Sequence, residues 1–161
     1  MKFIKFFQIL LLAFVLSACV EPRYMKQNSA FILFRTPTFK YADMGFVYEN
    51  SDEVKVEIYE SGQALMSLRI SETSVCMSLL ECMSKEDFNR KVLSRLYPQK
   101  ILDNIFRGKP IFRNRNLKRN RNGFTQTLTN KNKYNIHYRV LNNKIVFSDT
   151  INEILIKVIK Q

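Results

Sequence analysis

In the stretch Val54–Ile70, VKVEIYESGQALMSLRI, Val54, Val56 and Ile58 alternate with Lys55, Glu57 and Tyr59. That is the two-residue period of a half-buried strand. Ser61-Gly62 is a turn signal, after which alternation resumes through Ala64, Met66, Leu68 and Ile70. The spacing predicts an antiparallel hairpin with one oily face. Upstream, the apolar run Phe31 to Phe34 ends at Thr36-Pro37, and Gly45 to Glu49 is short and aromatic. Both read as further strands of one meander.

The period changes at Ser84. Ser84 and Asp87 stand three apart like a capping box, and Phe88, Val92, Leu93 and Leu96 follow at helical spacing. Pro98 interrupts, then Ile101, Leu102, Ile105 and Phe106 form a second apolar stripe with Gly108 as its cap and Pro110 beyond. Arg113 to Asn122, RNRNLKRNRN, is a basic block that reads as a solvated loop or an electrostatic contact with anionic lipid. Strand patterns return at Phe124 to Leu128, Tyr134 to Val140, Ile145 to Ser148 and Glu153 to Ile159. Strands, two helices, strands: the expected class is α+β. Its expected form is a curved antiparallel sheet, an unclosed β-barrel, with short helices as a lid over the concave face.

The start of the chain has the build of an export signal. Lys2 and Lys5 supply positive charge, Ile9 to Leu16 is almost wholly apolar, and Ser17-Ala18 precede Cys19. The apolar run is short for a transmembrane helix, which takes about 20 residues. The order resembles the lipobox of bacterial lipoproteins, which implies cleavage after Ala18 and lipidation of Cys19. The expected organisation is a signal over residues 1–18, a lipidated flexible tether over 19–29, and a single domain over 30–161. Val20 in place of Asp points to an outer-membrane, periplasm-facing location.

The chain has a net charge of +12. A basic balance suggests anionic partners, but an exported protein meets phospholipid and lipopolysaccharide phosphates rather than nucleic acid. With Cys19 given to lipid, Cys76 and Cys82 remain in an oxidising compartment, where a disulfide is plausible. A metal site is the alternative, although two thiols and the distant His137 make a poor ligand set.

Several segments together resemble the LolB family of outer-membrane lipoprotein receptors. They are Phe46-Val47-Tyr48, Val56 to Gly62, Ile105-Phe106-Arg107-Gly108-Lys109-Pro110, Phe124-Thr125-Gln126, Tyr134 to Tyr138, and Ile154 to Val158. The resemblance lies in their order over about residues 40–161. It implies a non-catalytic half-barrel holding the acyl chains of client lipoproteins, received from a periplasmic LolA-like carrier, and working as a monomer without a cofactor. Where that family shows an exposed apolar residue before the turn glycine, this chain has Ser61. Met77, Leu79 and Leu80, on the Cys76–Cys82 loop, are the candidate substitutes for membrane insertion.

The candidate cavity residues are Phe46, Tyr48, Val56, Ile58, Leu68, Phe88, Val92, Leu96, Leu102, Phe106, Ile136, Tyr138, Phe147 and Ile156. The same periodicity marks ordinary core, so they form a site only around a hollow interior. Catalysis has little support: the sequence holds neither G-x-S-x-G nor H-E-x-x-H, and His137 has no nucleophile at a motif spacing. The other non-catalytic class is an accessory lipoprotein of an envelope assembly, with a filled core.

Overall fold

The computed structural model describes residues 23–78 and 80–161. Cys19 and the proposed signal lie outside the described residues. Eleven strands form one antiparallel sheet: β1 (Lys26–Arg35), β2 (Lys40–Glu49), β3 (Val54–Glu60), β4 (Gln63–Ile70), β5 (Ser74–Met77), β6 (Leu80–Ser84), β7 (Leu117–Asn120), β8 (Gly123–Asn130), β9 (Tyr134–Leu141), β10 (Lys144–Asp149) and β11 (Ile154–Lys160). The spatial order is β6-β5-β4-β3-β2-β1-β11-β10-β9-β8-β7. Two meanders thus join at the first and last strands, and the sheet stays open at β6 and β7.

Because β6 and β7 are consecutive in sequence but sit at opposite edges, the chain between them must cross the sheet. That connection contains the two described helices, α1 (Lys85–Val92) and α2 (Ile101–Phe106). Ser84 caps α1, its hydroxyl accepting the Asp87 amide at 3.1 Å. Gly108 ends α2 with a φ of +65°, a left-handed conformation that only glycine adopts without strain.

The helices do not form a lid, and the α+β expectation is corrected. The fold is essentially one large open sheet with two short helices. Phe88, Ile101, Leu102, Ile105 and Phe106 are buried in one continuous cluster with the inward residues of the strands, among them Ile32, Phe34, Val56, Ile58, Tyr138, Phe147 and Ile156. The crossing segment fills the space that the sequence reading assigned to a hollow.

Register explains which residues face in. Val47 stands opposite Val56, and Val56 opposite Leu68, all without solvent exposure. Gly45 pairs with Ile58 where β2 first meets β3, and a Cβ there would lie 1.9 Å from the Glu57 carbonyl oxygen. No side chain fits.

Other elements differ from expectation too. The tether ends sooner, since Lys26 to Ser29 already belong to β1. α1 stops at Val92, leaving Leu96 40% exposed outside any helix. The basic block contains an edge strand, β7, paired through Leu117↔Gln126 to Asn120↔Gly123.

Asp149 anchors the crossing segment at one end of the sheet. Its carboxylate accepts the Tyr97 hydroxyl at 2.5 Å, the Asn135 amide at 3.0 Å, the Ile151 amide at 3.0 Å and the Asn152 side-chain amide at 2.7 Å. Burial by itself raises its pKa, but the donations from Tyr97, Asn135 and Asn152 outweigh that and hold it below the usual carboxylate range. The folded value lies under the unfolded one, so the contribution is complete above the unfolded carboxylate range and is lost as pH falls through the folded value. Asp149→Ala should lower the unfolding free energy by about 3 kcal/mol at neutral pH, measured by urea titration. The gap between parent and variant should shrink as pH is lowered through the acid range.

Candidate functional site

A groove of about 490 Å³ opens beside the β6 edge. Its walls are Phe39, Tyr41, Met77, Met83 and Val92, and Thr38, Glu81 and Lys91 complete the lining. Three parts of the chain meet there: the β1–β2 connection, the β5–β6 hairpin and the last turn of α1. The connection is held by Thr36, whose amide donates to the Phe39 carbonyl at 2.9 Å and whose hydroxyl accepts the Phe39 amide at 3.3 Å. Phe39 packs edge-on to the buried Phe34 ring at 5.1 Å and lies 5.3 Å from Tyr41. The aromatic wall is therefore continuous with the core.

The opposite wall depends on a short, irregular hairpin. Cys76 and Cys82 are joined as a disulfide across β5 and β6. The bridge spans the register shift between Val75↔Met83 and Met77↔Leu80. Its two flanking methionines, Met77 and Met83, both line the groove. Methionine is unbranched and polarizable, so this wall can adapt to a flexible apolar ligand.

The sequence candidates divide sharply against this geometry. Val92 and Met77 line the groove. Met77 is 4% exposed and so is not displayed for membrane insertion as expected. Leu79 lies outside the described residues; Leu80 opens β6 opposite Met77. Val56, Ile58, Leu68, Phe88, Leu102, Phe106, Ile136, Tyr138, Phe147 and Ile156 are packed core. Phe46 and Tyr48 sit on the outer face, because the intervening Val47 faces in. There they form an aromatic strip with Tyr59 and Tyr24. Leu96 is on the surface.

Phe39, Tyr41 and Met83 were missed. Phe39 and Tyr41 precede the aromatic stretch Gly45 to Glu49, and Met83 falls between Cys82 and the helix start at Ser84, where no period is visible. The only available signal was alternation of Phe39 and Tyr41 with Lys40.

Two polar recesses also occur. One, of about 570 Å³, lies between the β1–β2 and β10–β11 connections and includes Arg35, Asp149 and Glu153. Asp149 is already saturated by its own fold contacts. The other, of about 200 Å³, brings Lys85 and Lys100 near Asp52, Glu72 and Asp103. Burial lowers the Lys85 pKa, and Asp103 opposes the shift. Charges of both signs neutralise one another there.

His137 is exposed on the outer face, with Ser148 opposite it in β10, and the Ser148 hydroxyl donates to the His137 main-chain oxygen at 3.4 Å. Among the described residues no three His, Cys, Asp or Glu side chains gather as a metal site would need. No described helix is long and apolar enough to cross a membrane. No protein-family model matches the chain, and no curated protein matches it.

The disulfide closes a loop of only a few residues, so its effect on the unfolded state is modest. Replacing both Cys76 and Cys82 by Ser should cost about 2 kcal/mol of stability, read by chemical denaturation under oxidising conditions. Proteolysis should then begin in β5–β6 rather than elsewhere in the sheet.

Proposed function

We propose that the protein is a non-catalytic, lipid-anchored envelope protein that takes a hydrocarbon tail into the groove beside β6. The observation that carries this reading is the groove itself: about 490 Å³, walled by Phe39, Tyr41, Met77, Met83 and Val92, and reachable without moving either helix. That volume lies within the range of small-molecule sites. Each methylene withdrawn from water contributes about 0.8 kcal/mol, so even part of an acyl chain gains several kcal/mol there. Lys91 at the opening suits a carboxylate or phosphate at the head of the tail.

The amino-terminal sequence supports the location. Lipidation at Cys19 would hold the body at the outer membrane, facing the periplasm. The tails bound would be those of client lipoproteins, delivered by a LolA-like carrier. The groove stands in place of the enclosed cavity expected from sequence and opens at the surface. The filled core under the helices is what an accessory envelope lipoprotein without a transport role would have, and the same experiment separates the two.

A fluorescent fatty acid should bind the chain and be displaced by palmitate. Phe39→Asp and Met83→Asp should each weaken binding at least tenfold while keeping the far-ultraviolet circular dichroism of the parent, since both side chains are only partly buried. Phe106→Asp should unfold the protein instead, because Phe106 is wholly buried. Absence of uptake, or uptake indifferent to both groove variants, would leave the accessory role.

A further inference from the structure

On the outer face, three rows of residues running from β7 to β2 carry positive charge only. Register aligns Lys118, Arg139 and Lys157 in one row across β7, β9 and β11. The row on one side adds Arg35 and Lys40, which pair directly, and the row on the other adds Lys144. Five of these six are exposed and Lys157 is half-buried. No Asp or Glu occurs in the three rows, and none of the six is in an ion pair among the described residues. Between the charges lie half-buried apolar side chains, Leu33, Val146, Leu155 and Ile159.

The outer face of the other half-sheet is built differently. There Lys55 bonds Glu57 at 2.7 Å and Arg69 approaches Glu53 at 3.6 Å. The cations are compensated. An uncompensated basic face on one half only is an electrostatic surface waiting for an anion layer.

We propose that this face lies against the phosphates of an anionic lipid surface. Charge complementarity selects anions, and the composition of the face selects among them. Single-stranded nucleic acid binds best on aromatic platforms. Phe31 is the one Phe, Tyr or Trp in these rows, whereas Phe46, Tyr48 and Tyr59 cluster outside them, further along β2 and on β3. Aliphatic side chains between Lys and Arg suit the boundary of a bilayer. Chain length adds a second argument, which alone rests on the lipidation reading. Six residues lie between Cys19 and Lys26, the first residue of β1, and the seven steps from one to the other span at most about 25 Å. β1 contributes Leu33 and Arg35 to this face, so a lipid on Cys19 would bring it to the membrane.

The test uses residues 19–161 with Cys19→Ala, which retain every described strand and the whole described core. Co-sedimentation is measured with phosphatidylcholine vesicles, with and without phosphatidylglycerol. Binding should require the anionic lipid and weaken with salt. A triple variant, Arg139→Gln, Lys144→Gln and Lys157→Gln, should lose roughly a hundredfold in partitioning, whereas the helix-side triple Arg90→Gln, Arg95→Gln and Lys100→Gln should change little. Arg139→Lys with Lys144→Arg should bind like the parent. No binding, equal binding to pure phosphatidylcholine, or equal loss in both triples overturns the proposal. So does stronger retention on an oligonucleotide at equal phosphate, or self-association, if the face triple abolishes it. Fatty-acid uptake in the face triple should match the parent, so failure here is distinct from failure of the groove.

Discussion

Between Ala30 and Arg35 the first strand pairs with the last, from Ala30↔Lys160 to Arg35↔Leu155. Each half of the chain is a meander growing outward from that seam, so the halves can only finish at opposite edges. The connection from β6 to β7 then has to traverse the sheet, and burial decides which face it takes. The strands present a largely apolar inner face, and a segment carrying Phe88, Ile101, Leu102, Ile105 and Phe106 covers it. Both helices are short because they are pieces of a crossing strap. The seam joins residues more than a hundred positions apart, a non-local contact that forms slowly relative to the hairpins on either side.

Apolar burial holds the strap down without fixing its path; buried polar bonds do that. Arg107 bonds Asp103 at 2.9 Å and the Asn50 carbonyl at 2.7 Å, tying the end of α2 to the end of β2. The Tyr138 hydroxyl donates to the Lys109 carbonyl at 3.0 Å. Gln126, 1% exposed, accepts the Ile111 amide and donates to the Ile111 and Arg115 carbonyls. Tyr97 completes the set at Asp149. Among the described residues no buried side-chain nitrogen or oxygen lacks a partner. Lifting the helices would break several such bonds and expose Ile105 and Phe106 together. A ligand site on this fold is therefore best placed at the edge of the strap, where the groove lies.

How far the sequence disclosed this depended on local signal strength. Val54 to Tyr59 alternates cleanly and Ala64 to Ile70 in part, and β3 and β4 fall where that pattern puts them. The capping pair Ser84 and Asp87 marked the start of α1 to the residue. β5 and β6 were illegible because they are four and five residues rich in Ser and Cys, shaped by a disulfide and a register shift. β7 was masked by its Lys, Arg and Asn content, which is usual for an edge strand but looks like a loop. The largest error concerned the interior. Periodicity found Leu102, Phe106, Ile136 and Tyr138 correctly as inward residues, but inwardness is compatible with a hollow or a filled core. Only the packing of the strap onto the sheet separates them. Phe46 and Tyr48 failed for a simpler reason: in a strand with Val47 between them, aromatic size suggested burial while parity placed them outside.

The parity that puts those two rings outside also divides labour across the sheet. Inward positions are spent on one cluster, so nothing on that side is left to meet a partner except where β5, β6 and the β1–β2 connection leave a gap. Outward positions are not bound by that packing, and two parts of the sheet carry different charge patterns. On β3 and the adjoining end of β2, outward rings stand beside compensated charges, as where Lys55 lies 5.3 Å from the Tyr48 ring centre. The rows that run from β7 across the seam to Arg35 and Lys40 hold cations with no outward carboxylate. Compensated charge on a surface contributes little to stability and little to binding. Uncompensated charge costs self-repulsion, which a surface of opposite sign relieves. Spread over β7, β9, β10, β11, β1 and β2, the repulsion is distributed over residues held apart by the ladder itself. The rigid sheet can therefore carry a charge pattern that a flexible loop would relax away.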